Sequence, residues 1–164
     1  MSIKGVPEEL RFSSGVTGAG AGNPEYLLWE LPAPFARDGD CVVTERFLAS
    51  EDGIDRLTDV VRPTLTFFPA SGRGPHPAVL VCPGGGYQMT SEREADPIAM
   101  AFMAEGFHTA VLRYSVGQYA QFPNSLTDLS KTMKYIRAHA AQWHIDPERI
   151  AVCGFSAGGH LAAS

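Results

Sequence analysis

The run Gly154-Phe155-Ser156-Ala157-Gly158 has the spacing G-x-S-x-G. A serine hydroxyl is a weak nucleophile near neutral pH. It attacks an acyl carbon only when it is exposed, has a proton acceptor, and faces N–H groups that can take up the charge developing on the acyl oxygen. A sharp strand-to-helix turn provides exposure and N–H groups together, because the first amides of a helix have no partner and sit at the positive end of its dipole. Side chains two positions before and two after the serine would collide with the adjoining helix and strand, so Gly154 and Gly158 are read as the elbow glycines and Ser156 as the catalytic nucleophile.

A second glycine cluster, Gly84-Gly85-Gly86, directly follows the apolar run "AVLVC" of residues 78–82. Successive glycines let backbone amides approach a ligand closely, and the expected oxyanion hole is the N–H of Ala157 with that of Gly85 or Gly86. The other readings of the triple glycine are a flexible turn and a phosphate cradle; the latter lacks both the Lys-Ser/Thr ending of a P-loop and the G-x-G-x-x-G spacing. Tyr87, next in the chain, either walls the acyl site or packs without further role.

Both motifs need strands to carry them. "AVLVC" (78–82), "HTAVLRYS" (108–115) and "IAVCG" (150–154) are short apolar runs bounded by turn residues, as suits strands buried on both faces. A helix is expected between the first two: Asp96 as N-cap, Pro97 at the first helical position, Ile98, Ala101 and Phe102 on one face, Gly106 just past its end. Between the second and third, Leu126, Leu129, Met133, Ile136, Ala140 and Trp143 recur at three and four, marking an amphipathic helix of about five turns. Ser125 and Asp128 resemble a reduced capping box at its start.

Alternation of strand and helix with apolar strands predicts an α/β domain with a mostly parallel sheet and helices on both faces. The stretches 41–49 and 63–70 have strand character without intervening helices and are expected to pair antiparallel at one edge. Residues 1–25, with "SSGVTGAGAGNP", read as a flexible arm, and 26–164 as part of a single domain.

Eighteen acidic residues against 13 basic ones, scattered to a net charge of -5, lack the basic footprint of a nucleic-acid partner. No stretch approaches the roughly 18 apolar residues of a membrane span, and the N-terminus shows no apolar signal region, so a cytoplasmic protein is expected. Cys41, Cys82 and Cys153 form no C-x-x-C pair, and His76, His108, His139 and His144 have no metal-ligand spacing. The two later cysteines are expected to be buried free thiols, and no metal site is assigned. Glu92 and Glu94 are expected to be solvated, Asp96 and Asp128 to serve helix starts.

The segments "VLVCPGGGY", "AFMAEGFHTAVLRYS" and "IDPERIAVCGFSAGGHLAAS" resemble the esterase branch of the α/β-hydrolase superfamily, particularly small acetyl esterase and acetyl-xylan esterase-like proteins, over residues 60–164. Pro83 stands where many relatives have the His of H-G-G-G. The resemblance implies the α/β-hydrolase three-layer sandwich and a serine carboxylic-ester hydrolase acting through an acyl-enzyme on short acyl esters such as acetylated sugars. Its partner would be a small-molecule ester, with no cofactor, since acyl transfer through serine needs none.

In this superfamily the triad runs Ser, Asp or Glu, then His. Only "AGGHLAAS" follows Ser156, so the acid and His are expected beyond Ser164, and these 164 residues alone are expected to be inactive or unstable. His160 lies one turn after Ser156 with nothing evident to orient it, and the resemblance implies a structural or supporting place for it, not that of general base. The alternatives are a prolyl oligopeptidase-type peptidase, disfavoured because about 60 preceding residues cannot form a propeller, and a non-catalytic binding module on the same fold. The oligomeric state is left open.

Overall fold

The computed structural model describes residues 23–29, 46–48 (backbone only), 51–60 and 62–164. Nearly all of the expected arm, Cys41 and most of the 41–49 stretch lie outside them. In chain order the strands are β1 (Glu25–Leu27), β2 (Arg46–Leu48), β3 (Arg56–Thr58), β4 (Thr64–Phe68), β5 (His76–Cys82), β6 (Met89–Ser91), β7 (His108–Arg113) and β8 (Ile145–Gly154). The helices are α1 (Asp96–Ala104), α2 (Asn124–Ala138) and α3 (Ala157–Ala162).

The three apolar runs become the parallel strands β7, β5 and β8, hydrogen-bonded in that order. β4 runs antiparallel to β7, and β1 antiparallel to β4, so every strand of this sheet but β4 points the same way. Side chains alternate across the sheet as the period of two requires. Ala78, Leu80 and Cys82 of β5 join Leu112 of β7 against Leu129 and Ile136 of α2 and Leu161 of α3. Val79, Val81 and Val111 face the other way, onto Ala95, Ala99 and Phe102 at α1. This is a three-layer sandwich, with α1 on one face and α2 and α3 on the other.

The antiparallel edge differs from expectation. β1 occupies it, because Tyr26 stacks on Trp143 (5.5 Å) and Trp143 on Phe67 (4.7 Å), filling the end of the core with aromatic rings. Of the stretch 41–49, Arg46–Leu48 instead pairs with β3 in a separate three-stranded sheet completed by β6.

Both long helices also begin differently. Ala95, not Asp96, is the N-cap of α1 and no side chain caps it; Asp96 lies inside the first turn, drawn inward to Arg113. The buried face follows Ala95, Ile98, Ala99, Phe102 and Met103, and Ala101 is exposed. Its end is as expected: Gly106 at φ +89 donates to Met103 O and Phe107 to Phe102 O, the paired bonds of a Schellman motif. α2 ends at Ala138, earlier than expected, and a turn through His139–His144 keeps Ala140 and Trp143 buried. Ser125 and Asp128 do not box its start: the Ser125 hydroxyl donates to Ser115 O (2.8 Å), and Asp128 Oδ2 accepts the Ser115 N–H (2.9 Å). In β8, Ile145 and Ile150–Gly154 pair with β5, and residues 146–149 bulge out between them. No described helix is long and apolar enough to cross a membrane.

Candidate active site

The last paired residues of β5 and β8 are Cys82 and Gly154, so the loops that follow start side by side at the carboxyl edge of the sheet. The helix after β5 packs on one face and that after β8 on the other, the arrangement in which open α/β sheets bind ligands at the carboxyl ends of their strands. Ser156, in the loop after β8, is exposed, with φ 47° and ψ -116°. A β-carbon is unfavourable at that φ and persists only where its surroundings enforce it. A Cβ at Gly154 would overlap the Gly158 carbonyl, and one at Gly158 would overlap Cys82 O and come within 2.5 Å of Pro83 O. Only glycine at both positions lets the chain turn this tightly between β8 and α3.

The glycine loop is fastened against this turn. A Cβ at Gly84 would stand 2.6 Å from Phe155 O and 3.1 Å from Ser156 Cβ, so the two motifs are in contact. The Gly84 N–H is taken by Glu94 Oε2 (2.9 Å), and the buried Tyr114 hydroxyl donates to Pro83 O (2.6 Å). Burial pushes the Tyr114 hydroxyl pKa well above the usual phenol range, which keeps it a donor. Gly85 and Gly86 follow at φ +142 and +62. Among the described residues the N–H groups of Gly85, Gly86 and Ala157 donate no hydrogen bond. Nor does the Ser156 hydroxyl have a hydrogen-bond partner there.

Tyr87 has φ 60° and lies beside the nucleophile helix, its hydroxyl 2.9 Å from His160 Nδ1. Burial raises its pKa. His160 is thus engaged with Tyr87, not with Ser156. The two line a pocket of about 180 Å³ with Phe122, Leu126 and Leu161, in which Ser156 takes no part.

The acidic run after the loop is not solvated. Arg113 is 2% exposed at the end of β7; its guanidinium donates to Glu92 (Nη2–Oε2 2.6 Å), Asp96 (3.1 Å) and Thr66 Oγ1 (2.7 Å). Burial opposes the charge, but Glu92 and Asp96 outweigh it and raise the Arg113 pKa. Buried charges are paired; an arginine in the otherwise apolar "HTAVLRYS" was the sequence signal for this cluster. Asp128 is fully buried, accepting from Ser115 N–H and from Trp29 Nε1–H (2.8 Å), and burial raises its pKa despite both bonds. Glu94 and Tyr114, which hold the glycine loop, had no local signal.

Among the described residues, none of the remaining titratable groups hydrogen-bonds the Ser156 hydroxyl. His108 Nδ1 accepts from Ala70 N–H at the far end of β7, its ring 4.6 Å from that of His76. Cys82 and Cys153 are free thiols, the first fully buried and the second half-buried; burial, with Cys153 nearby, pushes the Cys82 pKa up to about 12. No metal-binding cluster of His, Cys, Asp or Glu occurs among the described residues.

This mixed sheet, with a serine elbow and a glycine loop at one edge, is the α/β-hydrolase architecture. Residues 66–164 match the family model BD-FAE, and the chain belongs to that family. It is 36% identical over 89 residues to endo-1,4-beta-xylanase B of Butyrivibrio fibrisolvens, covering 52% of this chain and 14% of that protein. Over 113 residues it is 33% identical to carboxylesterase NlhH of Mycobacterium tuberculosis, covering 68% and 34%. Among solved structures, an acetyl ester-xyloside bifunctional hydrolase from Caldicellulosiruptor lactoaceticus superposes with a TM-score of 0.69 at 29% identity, covering 92% of this chain and 47% of that one. The chain therefore spans less than half the length of each.

Proposed function

We propose that the protein is a serine carboxylic-ester hydrolase and that Ser156 is its nucleophile. One observation carries this: an exposed serine at positive φ touches a glycine loop, with the amides of Ala157, Gly85 and Gly86 unclaimed beside it. Ser156 Oγ attacks the acyl carbon, and the resulting oxyanion is met by the Ala157 N–H and that of Gly85 or Gly86. Gly84 is excluded as a donor because Glu94 holds its amide. The alcohol leaves with a proton, and water releases the acyl group from Ser156.

The reaction needs a histidine and an orienting carboxylate at the Ser156 hydroxyl, and none of the described residues hydrogen-bonds it. Without that pair at the hydroxyl, these residues alone are inactive. An acetylated sugar is the favoured substrate, supported by the likeness to an acetyl ester-xyloside hydrolase and to a xylanase.

The test is steady-state hydrolysis of 4-nitrophenyl acetate and acetylated xylo-oligosaccharide by the natively produced protein. Ser156→Ala should lower kcat by about 10³-fold or more with folding intact; retention of wild-type turnover would remove Ser156 from the mechanism.

A further inference from the structure

We propose that the Tyr87–His160 hydrogen bond is a clamp that sets the spacing of the oxyanion hole, making both positioning residues; this rests on the ester-hydrolase reading above. Gly86 carries no packing of its own, since nothing lies within 4 Å of where its Cβ would be, and it is exposed. Both glycines stand at positive φ; the Gly85 carbonyl accepts the N–H groups of Gln88 (3.0 Å) and Met89 (3.2 Å), so the loop's internal turn is set locally, and its distance from the elbow is set by the residues on either side.

On the upstream side, Glu94 and Tyr114 fix Gly84 and Pro83. On the downstream side stands Tyr87, a non-glycine at φ 60°, held in that unfavourable region from three directions. Its carbonyl accepts the Gly117 N–H (2.8 Å), its ring meets Tyr114 edge-on (6.1 Å between centroids), and its hydroxyl meets His160 Nδ1 (2.9 Å). The third contact alone reaches the nucleophile helix. His160 is itself tied to the elbow, its N–H donating to Ser156 O (2.9 Å) in the first turn of α3. The one side-chain bond thus closes a ring that runs from Gly86 through Tyr87 and His160 back to Ser156 and Ala157. The two amide donors of the proposed oxyanion hole lie on opposite arms of that ring.

The bond tolerates either imidazole tautomer, because the phenol can donate to a bare Nδ1 or accept from Nδ1–H. What it supplies is geometry. A displacement of about 1 Å between catalytic groups lowers rate by roughly 10²-fold, and an amide that meets only the oxyanion acts on kcat, not on substrate binding.

The experiment uses the natively produced protein and 4-nitrophenyl acetate, with Tyr87→Phe, His160→Leu, the double variant, and His160→Asn, whose amide can replace Nδ1. Tyr87→Phe retains the ring, so its packing on Tyr114 survives. Each single loss should lower kcat about 10-fold or more with KM within about twofold, and weaken an aryl trifluoromethyl ketone, which forms the oxyanion, by the same factor as kcat/KM. The double variant should be no worse than the singles, and His160→Asn should recover most of kcat. Wild-type kcat in Tyr87→Phe, multiplying losses in the double variant, or a rise in KM alone would overturn the clamp. Ser156→Ala separates the two claims: if it abolishes turnover while Tyr87→Phe leaves kcat unchanged, the clamp fails and the serine mechanism stands.

Discussion

Gly158 lies directly against Cys82, closely enough that a methyl group on the glycine would overlap the Cys82 carbonyl oxygen and reach 2.5 Å from that of Pro83. The atoms it would strike are backbone at the end of a central strand, so neither side can yield cheaply. Gly158→Ala should cost about 1–3 kcal/mol of stability, as overpacking does, and lower turnover by separating the elbow from the glycine loop. Guanidinium unfolding of the variant measures the first and ester hydrolysis the second; wild-type values in both would mean the elbow is looser than described.

Arg113 joins Glu92, which follows the glycine loop, to Asp96 at the start of α1. Arg113→Met would leave two carboxylates beside a buried space without their cation, and breaking such a pair costs about 3–5 kcal/mol. The loss should be smaller when Glu92→Gln and Asp96→Asn accompany it, because the uncompensated charges are then gone. Equilibrium unfolding of the single and triple variants decides: a single variant as stable as wild type contradicts the buried cluster.

His108 is 4% exposed, and burial, with His76 beside it, lowers its pKa to about 4. The unfolded chain titrates near 6.5. Between those values the unfolded state binds more protons, so the neutral-imidazole contribution is complete above about pH 6.5 and is lost as pH falls toward 4. The loss should amount to about 2–3 kcal/mol, and His108→Gln, which cannot titrate, should flatten that part of the profile. Urea midpoints from pH 4 to 7 for the two proteins provide the comparison; parallel profiles would assign the acid sensitivity elsewhere.

What was legible in the chain was local. Apolar runs at 78–82 and 108–115 showed parallel strands because burial on both faces leaves no alternation to confuse. The run 150–154 showed the third, but against expectation it is not a buried strand, since it ends the sheet order with Ala151 exposed and Ile150, Val152, Cys153 and Gly154 half-buried. Gly106 marked the end of α1 because a left-handed residue there favours glycine. The G-x-S-x-G and Gly84–Gly86 motifs indicated two loops at one sheet edge, and the fold brings them into contact. What was not legible depended on residues distant in sequence. Asp96 was assigned to a cap because its partner, Arg113, is 17 residues away, and Asp128 likewise, with Trp29 at 99 residues. β3 and β6 were missed because strands of three residues have too little pattern to read. Tyr87 was singled out beside the glycines, but its bond to His160 spans 73 residues and only the fold shows it.

The central claim is that Ser156 is a nucleophile, and fluorophosphonate labelling tests it most directly. The natively produced protein is treated with the reagent and its intact mass recorded, with Ser156→Ala alongside. The account predicts one covalent adduct on the wild-type protein and none on the variant. No adduct on a folded wild-type protein, or an adduct that persists in Ser156→Ala, would contradict it.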